Sequence, residues 1–300
     1  MQVITEIKEL RRAVAEKRAA GHRIGLVPTM GFLHAGHASL LKRARVENDT
    51  VVLSVFVNPT QFGPNEDLDR YPRDKEGDLR TARENGVDLV FMPEAQEMYP
   101  RPAATKVSVS GITGLLCGAS RPGHFDGVAL VVSKLFHLVG PDRAYFGMKD
   151  AQQVAVIARM VEDLNIPVEI VPCPIVRAED GLALSSRNVY LSPEERSQAL
   201  VLSESLRRAP EWLAEAQGDA QQLKERIRSR IAEQSLADVE YVEVLAYPDL
   251  VTPSEAADAD WIVALAVRFG KTRLIDNRLL TRAEREALLR PAATPGTKGE

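Results

Sequence analysis

Two histidines, in the string His34-Ala-Gly-His37, sit where an apolar run over 24–27 gives way to a helix-like pattern. A strand, a tight loop and a helix start are the expected elements. Both imidazoles and the free backbone N–H groups of a helix N-terminus then converge on one point, which makes an anion site. Gly31 and Gly36 let the backbone approach a phosphate that a Cβ would hold off. The turn contains neither G-x-x-x-x-G-K-[ST] nor G-x-G-x-x-G, so it reads as a phosphate cradle in which histidines take the place of lysine. Imidazoles there can donate hydrogen bonds to a phosphate in the transition state without bonding to it covalently.

Other clusters offer partners for that cradle. The string Phe146-Gly-Met-Lys149-Asp150-Ala-Gln-Gln153 repeats the strand-to-helix passage and places Lys149 as a point charge against a polyphosphate. Ser185, Ser186, Arg187 and Asn188 combine small donors with a cation, which suits a phosphate clamp on a loop that closes over nucleotide. Asn58 and Gln61 are neutral amides at the end of a buried strand and favour a small polar substrate carrying hydroxyls. Met30, Phe62 and Val131 or Val132 are candidates for its apolar wall, and Arg121 and His124 are further polar candidates. Zinc is disfavoured, because a site needs three or four ligands and His22, His124 and His137 lack carboxylate partners at helical spacing. Taken alone, the cradle specifies only chemistry on an α-phosphate. Another adenylyl- or cytidylyltransferase would carry it too, as would an ATP-binding interaction module without catalysis.

The elements that must position these groups alternate. Apolar runs over 24–27, 50–57, 89–92, 143–146 and 168–171 read as strands, and 7–20, 37–46, 74–85, 128–138 and 151–164 as helices, with Thr5 a candidate cap for the first. This rhythm predicts a parallel α/β sheet of Rossmann-like type, with ligands at the carboxyl ends of its strands. The polar clusters all follow strands and therefore share that rim. After Tyr190 the composition changes: Ser192-Pro-Glu-Glu195 opens charged helices to about 235, and strands are expected over 239–245, 261–269 and 272–275. The chain thus divides into a nucleotide-binding domain over 1–176, a smaller α+β domain over 177–290 acting as a lid, and a disordered tail over 291–300.

Composition bounds the rest. The chain has 300 residues, 45% of them hydrophobic, and 38 basic against 42 acidic residues leave a net charge of −4. That mixture gives no global field for nucleic acid or an anionic membrane. No apolar run reaches the ~20 residues of a membrane span. Cys117 and Cys173 form no C-x-x-C pairing, which suits a reducing compartment, and the expected location is the cytoplasm.

With these clusters in view, the chain resembles the pantothenate synthetase (pantoate–β-alanine ligase) family of the HxGH nucleotidyltransferase superfamily over about 1–285. The resemblance rests on Pro28-Thr-Met-Gly-Phe-Leu-His-Ala-Gly-His37, Val55-Phe-Val-Asn-Pro-Thr-Gln-Phe62, Tyr71-Pro-Arg73, Arg121-Pro-Gly-His-Phe125, Phe146-Gly-Met-Lys-Asp150 and Asp180-Gly-Leu-Ala-Leu-Ser-Ser-Arg-Asn188. It implies a homodimer in which ATP, as Mg²⁺ complex, and pantoate form pantoyl adenylate and pyrophosphate, after which β-alanine displaces AMP. By motif, it implies that His34, His37, Lys149, Ser185, Ser186 and Arg187 act on the phosphates. Pro28, Thr29, Met30, Gly36, Gly147, Asp150 and Val176 would hold ATP. Met30, Asn58, Gln61, Gln153, Arg121 and His124 would hold pantoate or β-alanine. Asp78 is the candidate protein contributor to the metal, which phosphate oxygens and water would otherwise hold. Family members typically carry Glu at Met148, Met at Leu184, Asn at His137 and often Glu at Ala35; Met148 removes a charge beside Lys149.

Overall fold

The computed structural model describes residues 1–64 and 66–289, so the expected tail lies outside the described residues. Strands β1 (Gln2–Ile4), β2 (Ile24–Thr29), β3 (Thr50–Val55), β4 (Leu89–Phe91), β5 (Arg143–Gly147) and β6 (Glu169–Cys173) form a parallel sheet in the order β1-β4-β3-β2-β5-β6. Helices α1 (Ile7–Ala19), α2 (Ala35–Glu47), α3 (Lys75–Glu84), α4 (Ala95–Met98), α5 (Leu116–Ser120), α6 (His124–Val139) and α7 (Ala151–Asp163) accompany it.

Strands buried on both faces explain why their sequence runs are apolar without alternation. In β2 and β3, Ile24, Leu26 and Val52 enter one core with Leu10 of α1, Val132 of α6 and Ile157 of α7. Val27, Val51 and Leu53 enter the other with Leu40 and Leu41 of α2 and Ala82 of α3. From β2 the chain moves outward through β3 and β4 on one side, and through β5 and β6 on the other. The reversal leaves a crevice between the carboxyl ends of β2 and β5, the place where open α/β sheets bind ligands.

Two local expectations change. The sequence pattern does not predict β1; three residues are too few for periodicity, and the strand exists because Gln2, Val3 and Ile4 pair with Leu89, Val90 and Phe91 at the sheet edge. Thr5 does not cap α1. The preceding residue of that helix is Glu6, without a side-chain cap bond, and the Ile7 N–H instead donates to Glu97 Oε1 at 2.8 Å.

The second unit contains α8 (Pro193–Glu215), α9 (Ala220–Ala232), β7 (Ala237–Tyr247), β8 (Asp260–Phe269), β9 (Thr272–Leu280) and α10 (Arg282–Leu289), with the strands antiparallel in the order β7-β8-β9. The helix start expected at Ser192 is a capping box: the Ser192 N–H donates to Glu195 Oε2 at 2.8 Å and the Glu195 N–H to Ser192 Oγ at 3.2 Å. Leu206 and Ile227 of these helices pack on Val242, Val263 and Leu265. Ile262 and Ala264 pack with Leu116 and Ala151 of the first unit, so the small sheet leans against the rim that carries the polar clusters. The expected boundary at 176/177 falls in the connector between Cys173 and Pro193.

Candidate active site

His34 is the N-cap of α2, and the sequence makes it an unusual one. Its Nδ1 accepts from the Gly36 N–H at 3.1 Å, while His37 Nδ1 accepts from the His34 N–H at 3.3 Å. A backbone N–H can only donate, so both Nδ1 atoms are unprotonated and each neutral ring carries its proton on Nε2. The rings lie 4.1 Å apart, centroid to centroid. Burial, then the charge of Lys149, lowers the pKa of His34 from 6.5 to about 4. Burial, then His34 and Lys149, lowers that of His37 to about 3. The pair is therefore a neutral double donor at neutral pH. A Cβ on Gly36 would come within 2.8 Å of the His34 ring, which explains the glycine between them.

The loop ahead of the histidines is held from below by Asp78 of α3, whose Oδ2 accepts from the Phe32 N–H at 3.1 Å and Oδ1 from the Leu33 N–H at 2.7 Å. Gly31 takes φ +83° and leaves the space that Asp78 fills: a Cβ there would lie 2.8 Å from Asp78 Oδ2. Asp78 is buried beneath the loop rather than lining the cavity, and its oxygens face backbone donors. The residue expected to reach a metal thus braces the histidine loop, because a carboxylate is what two adjacent N–H groups require. Among the described residues, no cluster of three or more His, Cys, Asp or Glu could hold a metal.

Lys149 enters from the end of β5, with Nζ 3.1 Å from Asp150 Oδ2. Burial raises the Asp150 pKa, but the charge and hydrogen bond of Lys149 outweigh it and hold the carboxyl below the usual range. The carboxylate that pairs with Lys149 thus stands two residues after Met148. Met148 instead packs against the small sheet with Ile262 and Tyr247.

A cavity of about 200 Å³ collects most of the expected residues: Pro28, Thr29, Met30, His34, His37, Asn58, Gln61, Arg121, His124, Lys149, Asp150, Gln153, Ser185, Ser186 and Arg187, with Phe62, Val131 and Val132 in its apolar wall. Gly36, Gly147, Val176 and Asp78 lie outside this lining. Gly147 ends β5, and the Val176 carbonyl accepts from the Leu184 N–H at 3.0 Å, steadying the chain ahead of Ser185.

The amide pair divides its labour. Asn58 donates to Gln61 Oε1 at 3.0 Å and to the Gly127 carbonyl at 3.1 Å, while its Oδ1 accepts from Tyr99 Oη at 2.9 Å and Thr60 Oγ1 at 3.0 Å. Both amide hydrogens and both lone pairs are engaged, so Asn58, expected to touch substrate, aims Gln61 instead. Gln61 Nε2 reaches Met30 Sδ at 3.3 Å and keeps one hydrogen for a ligand. Arg121 and His124 buttress the same turn: His124 Nδ1 donates to the Gln61 carbonyl at 2.8 Å, and Nε2 accepts from Arg121 Nη1 at 3.0 Å. Burial, then Arg121, lowers the His124 pKa to about 4.

Sequence reasoning missed the acidic partners of the cations. Glu66 binds Arg121 at 2.8 Å, and Asp67 takes Arg187 in a fork of 2.9 and 2.8 Å. Their run of charge and turn residues carries no periodicity that could have flagged them. Beyond the cavity, a cleft of about 1100 Å³ opens between the two units and shares Lys149, Asp150, Gln153, Ser185 and Arg187 with it. Together they form a small pocket faced by the amides of Gln61 and Gln153, joined through cations and a hydroxyl to a space large enough for a nucleotide.

A sequence model of the pantoate-beta-alanine ligase family matches residues 2–279. The chain belongs to this family. It is accordingly an ATP-dependent ligase that joins pantoate to β-alanine. The chain is similar to the pantothenate synthetase of Acetivibrio thermocellus, with 56% identity over 277 residues, covering 92% of this chain and 98% of the relative. The crystal structure of pantothenate synthetase from Thermus thermophilus superposes with a TM-score of 0.86 at 49% identity, covering 93% of this chain and 99% of that one. A Francisella tularensis pantoate-beta-alanine ligase, solved with β,γ ATP and β-alanine, gives 0.77 at 36% identity, covering 93% and 97%.

Proposed function

We propose that pantoate occupies the smaller cavity and the ATP polyphosphate the adjoining mouth of the cleft. A pantoate carboxylate oxygen attacks the α-phosphorus, the bond to the β-phosphate breaks, and pyrophosphate leaves with the electron pair. The β-alanine amine then attacks the acyl carbon of pantoyl adenylate, AMP leaves, and the amine proton passes to water. Catalysis is positioning and charge stabilisation.

One observation carries this reading: two neutral Nε2–H imidazoles and the Lys149 ammonium border the same cavity as two amides that face it, Gln61 and Gln153. The Gln153 side chain makes no hydrogen bond among the described residues and would meet the pantoate carboxylate or hydroxyls; Gln61 supplies the second contact, with Met30 beside it. His34 and His37 donate to α-phosphate oxygens as charge builds, Lys149 faces the β- and γ-phosphates, and Ser185 and Ser186 add hydroxyl donors. Arg187 joins them by exchanging its Asp67 fork for phosphate, an exchange of like geometry. Pro28, Thr29 and Asp150 border the cavity where the α-phosphate would lie, while Gly36, Gly147 and Val176, outside both linings, act through the backbone that carries His34, Lys149 and Ser185. Magnesium held by the ATP phosphates and water would supply charge neutralisation there; Asp78 does not fit as its ligand, its oxygens being held by the Phe32 and Leu33 N–H groups. The homodimer and the cytoplasmic location belong to the same proposal, and sedimentation of the purified chain tests the first. No helix among the described residues is long and apolar enough to cross a membrane.

Product formation from ATP, pantoate and β-alanine, with each omitted in turn, tests the reading. Pantothenate is expected only with all three present, and pyrophosphate from ATP and pantoate alone. Pyrophosphate release that needs no pantoate would reject it.

A further inference from the structure

Lys149 sits in a one-turn 3-10 helix, Met148–Asp150, between β5 and α7, and this turn lacks the usual local support. Gly147 before the turn and Asp150 before α7 make no side-chain cap bond. The support comes from the other unit. Asn277 of β9, 6% exposed, donates through its single amide nitrogen to the Met148 carbonyl at 2.8 Å and to the Lys149 carbonyl at 3.0 Å. Two amide hydrogens of one side chain thus pin two consecutive carbonyls, one of them that of Lys149 itself. The strand around Asn277 is itself anchored: its own N–H donates to Asp276 Oδ1 at 2.8 Å, and Asp276 grips Arg177 in a fork of 2.6 and 3.0 Å. Arg177 lies in the connector that delivers Ser185, Ser186 and Arg187, and also donates to the Gly181 carbonyl at 3.2 Å. Adjacent residues of one strand therefore hold the segments carrying the ammonium and the hydroxyls.

The geometry points to Asn277 as a positioning residue for Lys149, fixing the lysine backbone from the small sheet so that the ammonium faces the polyphosphate beside the two histidines. The inference rests on the role proposed for Lys149. Asn277 touches no reacting atom, and it acts by placing a carbonyl, hence a Cα, hence a side chain. Asn277→Asp keeps the size but turns a double donor into an acceptor against two carbonyls. Asn277→Ala removes the donor without adding charge.

Pantoate-dependent ATP–pyrophosphate exchange is measured in both variants, in Lys149→Ala and in the Lys149→Ala/Asn277→Ala double variant, with the pantoate KM and melting temperature followed in each. A displacement of about 1 Å at Lys149 predicts an exchange rate lower by about 10²-fold in each Asn277 variant. The pantoate KM stays within about twofold, and the double variant is no slower than Lys149→Ala alone, because nothing is left to position. Exchange near the parent rate in Asn277→Ala overturns the inference, as do losses that multiply in the double variant or a matching loss of pantoate binding. Should Asn277→Asp fail to fold, Asn277→Ala decides. Full exchange in Lys149→Ala would refute the role of the lysine, and this inference with it, whereas loss there with none in Asn277→Ala refutes this inference alone.

Discussion

Gly127→Ala probes whether the aim of Gln61 depends on how closely α6 approaches the turn Pro59–Gln61. A methyl on Gly127 would stand 2.3 Å from the Thr60 oxygen, 2.5 Å from the Thr60 carbonyl carbon and 2.6 Å from Gln61 Cα. All three neighbours are backbone, so no side chain can swing aside. Restoring an ordinary C···O separation of about 3.3 Å requires the turn to retreat by about 1 Å. That retreat stretches the 3.1 Å bond from Asn58 to the Gly127 carbonyl, one of the three contacts, with Tyr99 and Thr60, that aim the Asn58 amide and through it Gln61. Alanine gains about 1 kcal/mol of helix propensity over glycine. Overpacking against backbone costs about 1–3 kcal/mol, so the net is destabilising but not unfolding. A substrate contact moved by about 1 Å lowers kcat/KM for pantoate by about 10²-fold. The ATP KM should change little, since Lys149 and Ser185 stand on other elements. Steady-state kinetics in each substrate, with a melting curve, checks this. An unchanged kcat/KM for pantoate in a variant whose melting temperature has fallen would refute the link from α6 to Gln61.

Asp78→Asn should destabilise the fold by about 1–3 kcal/mol, because one of the two N–H groups at Phe32 and Leu33 loses its acceptor. The magnesium concentration for half-maximal activity should not move; a large shift in a magnesium titration would restore Asp78 as a metal ligand. The histidine pair sets a pH dependence whose sign follows from burial. Folding lowers the pKa of His34 from 6.5 to about 4 and of His37 to about 3, so below pH 6.5 the unfolded chain binds more protons than the folded one. This penalty is absent above pH 6.5 and grows as pH falls toward those folded values. Urea midpoints should therefore decline on acidification more in the parent than in His37→Asn, and NMR should find no titration of either imidazole near 6.5. An ordinary titration there would contradict the neutral-donor assignment.

Much of this was legible in the chain because chemistry and local structure coincide in it. The His34-Ala-Gly-His37 string announces both an anion site and a helix start, and Lys149 likewise follows an apolar run that reads as a buried strand. What was not legible depends on partners distant in sequence. Asn58 has the composition of a substrate contact, and only the arrival of Tyr99, Thr60 and Gly127 around it turns it into a brace. Asp78 reads as a free carboxylate on a helix until the Phe32–Leu33 loop folds over it. Asn277 lies inside a strand, where its type suggests nothing, and its role exists only because the small sheet meets the end of β5. Met148 reads as a lost charge, yet Asp150 pairs the lysine and the methionine fills an apolar contact between the units.

The central claim is that the paired neutral histidines and Lys149 stabilise charge at the phosphates while pantoate attacks. Pantoate-dependent ATP–pyrophosphate exchange without β-alanine, compared between the parent and His37→Ala and Lys149→Ala, tests it most directly. The account predicts exchange in the parent and a loss of roughly 10²–10³-fold in each variant, the scale of one transition-state donor. Exchange at the parent rate in both variants, or exchange in the parent without pantoate, would contradict it.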